Sequence, residues 1–141
     1  RISEDFKLLS GTWARVASLR IGLLTALEGL AADVVITGAG RADLGALIFP
    51  VAPVTMQKNG VATDDTLLSD LRARLTALAA STSGSSTRIA RAVILADPPS
   101  LAAHEVTAKG NLNTNKILTT RAELVDRLYA DDPSDPAVII V

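Results

Sequence analysis

The sequence predicts an α+β domain: a small mixed sheet of about three strands with an N-terminal β-hairpin, packed against three helices. Short apolar runs end at Gly or Pro, as Leu44–Phe49 ends at Pro50, which is how strands are punctuated. Elsewhere apolar residues recur at three- and four-residue intervals, the period of one helix face. The two kinds of segment alternate irregularly, with neither an internal repeat nor a heptad. At 141 residues the chain fits one domain with a single core.

In chain order, residues 7–16 hold short apolar pieces interrupted by Ser10-Gly11, predicting a hairpin whose Gly supplies a positive φ. Ser18 is a candidate N-cap for a helix running to about Ala31, with Leu19, Leu23, Leu24, Leu27 and Leu30 as its apolar stripe. Gly22 within it costs about 1 kcal/mol against Ala. Residues 33–37 and 44–49 read as paired strands joined by the sequence GAGRAD. That turn lacks the third Gly of a dinucleotide fingerprint and the Gly-Lys-Ser/Thr ending of a phosphate loop, so it is read as a plain turn.

Residues 50–63 are read as irregular. A second helix follows, with Thr63 or Asp64 as cap, Leu67, Leu68, Leu71, Leu75 and Leu78 as its stripe, and Asp70 with Arg74 at i,i+4. The stretch STSGSST, residues 81–87, reads as a flexible link. Ile89–Ala96 reads as a third strand, and because Val93-Ile94-Leu95 within it is apolar without alternation, it is predicted to be central and covered on both faces. From Asn115, the residues Ile117, Leu118, Leu124, Val125 and Leu128 mark a third helix, and Thr120 with Glu123 makes a capping box if it starts later. The closing DDPSDPAVIIV is a tail, residues 131–141, whose apolar end is either an edge strand or a sticky terminus.

Several chemistries are excluded or disfavoured by composition. With no cysteine, thiolate nucleophiles, thiolate metal sites and disulfides are ruled out, and a cytoplasmic setting is compatible. A formal charge of -1 offers no basic surface for nucleic acid or an anionic membrane. One histidine, His104, cannot build a His-based metal cluster and reads as a surface residue, so no metal site is assigned. No apolar run approaches the roughly 20 residues that span a bilayer, and the N-terminus lacks the pattern of a secretory signal. The absence of an initial Met predicts a fragment of a longer chain.

Two polar stretches interrupt the regular pattern, RISEDFKLLSGTW at residues 1–13 and EVTAKGNLNTNK at residues 105–116. Together with GALIFP and RAELVDRLYADDP, they resemble the C-terminal domain of adenylate-forming acyl-CoA ligases, and most of all feruloyl-CoA synthetases and their aryl-acid relatives. The resemblance runs over nearly the whole chain. It implies the C-terminal domain fold of those enzymes, a mobile module whose partner is its own large N-terminal domain. It also implies a two-step reaction using ATP, Mg2+ and coenzyme A, in which a carboxylic acid, an aromatic one by this likeness, becomes an acyl-adenylate and then a thioester. The large domain would hold most of the cofactor contacts, and the isolated domain would be inactive.

Carried over by position, the resemblance implies that Arg1 closes the nucleotide pocket and that Ser3, within a junction at residues 1–4, is the hinge. The family has Asp or Lys at that hinge, so Ser3 departs from its pattern. Gly11, Thr12 and Trp13 would approach the pantetheine arm of coenzyme A, where Gly suits backbone lying close to a ligand. The plain reading is a routine turn with Trp13 filling the core, and the two do not exclude each other. Lys7, Arg15 and Arg20 are eligible cations for the coenzyme A phosphate. For the adenylation lysine, relatives place Gly before Lys ahead of a helix, whereas here Lys109-Gly110-Asn111 reverses the order and position 111 holds Asn. Lys109 is chosen over Lys116, which lies on the helix. The competing class is a non-catalytic α+β interaction or regulatory module.

Overall fold

The computed structural model describes residues 6–9, 11, 13–38, 40–41, 43–51, 57–58, 60–81, 89–97, 99–109, 112–130 and 137–140. Arg1, Ser3 and the rest of the junction at 1–4, Thr12, Gly110, Asn111 and most of the 81–87 link lie outside them.

The chain runs β1 (Phe6–Lys7), β2 (Trp13–Ala14), α1 (Val16–Ala26), β3 (Ala31–Thr37) and β4 (Leu44–Pro50). It continues through β5 (Gln57–Lys58), β6 (Val61–Ala62), α2 (Asp65–Ser81), β7 (Ile89–Ile94), α3 (Thr114–Thr120), α4 (Ala122–Leu128) and β8 (Ile139–Ile140). The main sheet has the order β3-β4-β7-β8, with β4 and β7 parallel and both outer pairings antiparallel. The fold is thus mixed α+β, as expected, with a fourth strand: of the two readings of the terminal run, the edge strand is the one seen. The two-residue ladders β1-β2 and β5-β6 form separate small sheets, the second joined to the end of β7 by the Val61–Leu95 bridge. The second places ordered pairing inside the 50–63 stretch that reads as irregular.

Alternation along the strands divides the core in two. Val34, Ile36, Ala46, Ile48, Ala92 and Ile94 face one cluster with Leu23, Leu27, Leu71 and Leu75 of the α1 and α2 region. Val35, Leu47, Phe49, Val93 and Leu95 face a second cluster with Ile117 and Leu128. All six residues of β7 are buried, because the strand lies inside the sheet with helices over both faces.

Helix boundaries differ from expectation for local reasons. Helix α1 starts at Val16, with Arg15 at the N-cap making no side-chain cap bond, so Ser18 is an exposed first-turn residue and not the cap. It ends at Ala26 because Gly29, at φ 81, reverses the chain into β3, and Ala31 N–H donates back to the Leu27 carbonyl. Gly22 is tolerated on the solvent side, with open space where a Cβ would stand. The expected third helix is two, which makes four helices among the described residues. Six residues separate Leu118 from Leu124, about 240° around a straight helix, so one continuous rod would not bury both on one face. The chain breaks at Arg121, φ -115 and ψ 31, and Asn113 caps α3 by accepting from Lys116 N–H.

Gly45 marks the tightest passage between sheet and helix. A Cβ there would lie 2.7 Å from Thr37 Oγ1, 2.9 Å from Leu128 Cδ2 and 3.0 Å from the Tyr129 hydroxyl. Gly45→Ala is expected to lower unfolding free energy by about 1–3 kcal/mol, read as a fall in the urea midpoint at constant slope.

Candidate functional site

The hairpin β1-β2 pairs Phe6 with Ala14 and Lys7 with Trp13. Gly11 supplies its turn at φ 87, donating to the Leu8 carbonyl at 2.9 Å, as the sequence predicts. Leu8 and Ala14 point into the core, whereas Trp13 is 56 % exposed and lies under the Lys7 ammonium, 5.2 Å from the ring centroid. Trp13 therefore does not fill the core: alternation along β2 gives that place to Ala14. The hairpin is bound to the turn between β3 and β4, where Leu9 N–H donates to the Arg41 carbonyl and Gly40 N–H to the Lys7 carbonyl. The described residues of GAGRAD make a turn, as read, with Arg41 N–H donating to the Gly38 carbonyl, and they carry the hairpin. Of the eligible cations, Arg20 is engaged by Asp33 at 2.5 Å.

The second polar stretch is built around Glu105, only 2 % exposed. Arg121 grips its carboxylate with both arms, Nε to Oε2 at 2.8 Å and Nη2 to Oε1 at 2.9 Å. Ser100 N–H donates to Oε1 at 2.9 Å and the Thr120 hydroxyl donates to Oε2. The Arg121 hydrogen bonds, against the opposing effect of burial, hold the Glu105 carboxyl down to about 2 from 4.5, with smaller contributions from Thr120 and Ser100. Arg121 also donates to the Asp97 carbonyl at 2.8 Å and lies over the Phe49 ring at 5.2 Å.

This pair fixes the segment that bears Lys109. The Glu105 backbone donates to the Ser100 carbonyl and accepts from Asn113 N–H at 2.8 Å, and Val106 bridges to Leu112. Both ends of the stretch from 106 to 112 are thereby pinned, and Lys109 stands exposed between them. Lys116 is exposed on α3, as expected of a surface residue. His104, also exposed, takes φ 62 in the turn leading to Glu105.

Helix α4 separates the two polar regions. Arg121 at its start bonds to Asp97, just past the end of β7, and Tyr129 at its end donates to the Asp43 carbonyl, just before β4. Because β4 and β7 run parallel, these are opposite ends of the sheet. The Gly11–Trp13 hairpin belongs to the Tyr129 end, where the Arg41 guanidinium stacks 4.2 Å from that ring. The Lys109 segment belongs to the Arg121 end.

Sequence reasoning missed Glu105 and Arg121 as a unit. They are sixteen positions apart, so no periodicity links them, and the run around Glu105 reads as uniformly polar. The one available signal was Arg121 standing where the apolar stripe loses phase. Among the described residues, no three His, Cys, Asp or Glu side chains gather as a metal site requires, and no helix is long and apolar enough to cross a membrane.

A mixed sheet covered by two helix pairs, with exposed polar loops at either end, defines a small α+β module of an adenylate-forming enzyme's C-terminal fold. The profile of the AMP-binding enzyme C-terminal domain matches residues 22–133, and the chain belongs to that family. In structure it is similar to the A-PCP didomain of a carboxylic acid reductase from Segniliparus rugosus in complex with AMP. That likeness has a TM-score of 0.69 at 21 % identity, over 89 % of this chain and 17 % of the other. It is similar also to the adenylation domain of a carboxylate reductase from Mycobacterium chelonae, with a TM-score of 0.65 at 19 % identity, over 90 % of this chain and 19 % of the other. The chain thus spans less than one-fifth of the length of each of these structures. No curated protein matches it.

Proposed function

We propose that this chain is the mobile C-terminal domain of an AMP-forming acid–CoA ligase, acting on an aromatic carboxylic acid of the feruloyl type in the cytoplasm. In the first step a carboxylate oxygen attacks the α-phosphorus of ATP, and pyrophosphate leaves to give the acyl-adenylate. In the second, the coenzyme A thiol loses its proton, sulfur attacks the acyl carbon and AMP leaves with the electron pair of the broken C–O bond. Lys109 serves the first step: an ammonium on a pinned, exposed turn can neutralise charge where carboxylate and phosphate meet. Gly11, Thr12 and Trp13 serve the second by lining the approach of the pantetheine arm, with Trp13 offering an apolar face. Arg1 closes the nucleotide pocket and Ser3 is the hinge.

The observation that carries this reading is the separation of the exposed hairpin and the exposed lysine turn at opposite ends of one sheet, within a chain of the AMP-binding enzyme family. Surfaces at two ends of a rigid body can meet one reaction centre only in turn, which a swinging domain accomplishes. Mg2+, which would screen the ATP phosphates, would be bound mainly by the large domain. A second reading follows from the reductase neighbours: the acyl-adenylate is made in the same way but passed on within a larger reductase and not to free coenzyme A.

AMP release by the full-length protein over a panel of aromatic and aliphatic acids tests the proposal. The expected result is acid-dependent release that favours aromatic acids and multiplies on adding coenzyme A. Release indifferent to coenzyme A supports the reductase reading, and no acid-dependent release removes both.

A further inference from the structure

Glu105 is a buried carboxylate held by Ser100, Thr120 and Arg121, residues that flank the Lys109 turn in the chain. Its Oε1 holds Ser100 N–H, at the start of the segment, and its Oε2 holds the hydroxyl of Thr120, at the end of α3. Its own carbonyl holds Asn113, the residue that caps α3 and follows the turn. A bidentate guanidinium–carboxylate pair is geometrically demanding, so it fixes direction as well as distance. The pair is also largely shielded from water here, the guanidinium 11 % and the carboxylate 3 % exposed, and Arg121 ties it to Asp97 at the end of β7. The sheet, α3 and α4 are thus all referred to one carboxylate, from which the Lys109 turn departs one residue later. A hydrophobic residue in place of Glu105 would fill the volume without any such directional constraint on the turn, whose flanks are further joined by the Val106–Leu112 bridge.

We propose that Glu105, clamped by Arg121, is a positioning residue that aims the Lys109 turn at the adenylation centre. The proposal rests on the reading of Lys109 as the adenylation lysine. Glu105 does not touch the reacting atoms; its effect passes through Lys109 alone. Misplacing a catalytic group by a fraction of an ångström to one ångström suffices to slow a step by ten- to a hundredfold.

The test is a double-mutant cycle in the full-length protein, with Glu105→Gln made in the Lys109 and in the Lys109→Ala background. Adenylation and thioester formation from supplied acyl-adenylate are assayed separately. Glu105→Gln is expected to lower kcat for adenylation about tenfold, to leave KM for ATP and acid within about twofold, and to spare the thioester step. In the Lys109→Ala background the same change is expected to have less than about a twofold effect, since the group being aimed is gone. An equal fall in both backgrounds, a parallel fall in the thioester step, or no fall at all overturns the proposal. A failure of the Lys109 reading is distinguishable, because Lys109→Ala alone would then leave adenylation intact. Thr120→Val removes one donor to the carboxylate with little change in volume. It is expected to give the same pattern at smaller amplitude, and it carries the test if Glu105→Gln does not fold; full activity in Thr120→Val together with an unfolded Glu105→Gln would reduce Glu105 to a purely structural residue.

Discussion

Substituting Glu105→Ala is expected to destabilise the domain by about 3–5 kcal/mol, the largest effect of any single replacement considered. The reason is not the lost attraction alone. Arg121 is left as a charge with little access to water, and breaking one partner of such a pair is far worse than replacing both by apolar groups. Ser100 N–H and the Thr120 hydroxyl lose their acceptor at the same time. The pH dependence follows from the same contacts. The folded carboxyl titrates at about 2 and the unfolded one at 4.5, so its stabilisation is fully present above 4.5 and is lost as pH falls from 4.5 towards 2. Denaturant unfolding at a series of pH values checks both statements: Glu105→Ala should be less stable at pH 7 and flatter than the parent between pH 4.5 and 2. Parallel curves would show that the pair contributes nothing to this dependence.

The second large effect concerns activity. Lys109→Ala in the full-length protein is expected to slow acyl-adenylate formation by about a hundredfold or more, the scale on which removal of one preorganised charge-stabilising donor is felt. Thioester formation from supplied acyl-adenylate should be unaffected, because the step is proposed to use the hairpin at the other end of the sheet. Fold stability should also be unchanged, since Lys109 is exposed and the turn is held by backbone and by Glu105. Equal loss in both steps would make Lys109 a structural residue, and loss in neither would remove it from the reaction.

The legible part of the fold was the part written in periodic apolar residues. Leu67 to Leu78 announce α2, and the apolar run Val93-Ile94-Leu95 announces a central strand, because both patterns are set by burial. Boundaries were less legible. Gly29 ends α1 through a positive φ that a leucine stripe running on to Leu30 conceals, and Arg121 splits a helix to reach a carboxylate sixteen residues away. The site divides in the same way. Gly11 was readable as a turn because glycine favours that conformation locally, and Lys109, singled out by resemblance to a motif, stands exposed. Trp13 was ambiguous between core and surface until the alternation of a two-residue strand decided it. Glu105 was invisible, since a buried carboxylate is tolerated only through partners that tertiary structure supplies.

The central claim is that this chain completes an acid-adenylating site through Lys109. Acid-dependent exchange of pyrophosphate into ATP, measured on the full-length protein without coenzyme A and beside its Lys109→Ala form, tests it most directly. The account predicts exchange that requires the carboxylic acid and falls about a hundredfold in the variant. Exchange that is absent with every acid, or that proceeds undiminished without the Lys109 ammonium, contradicts it.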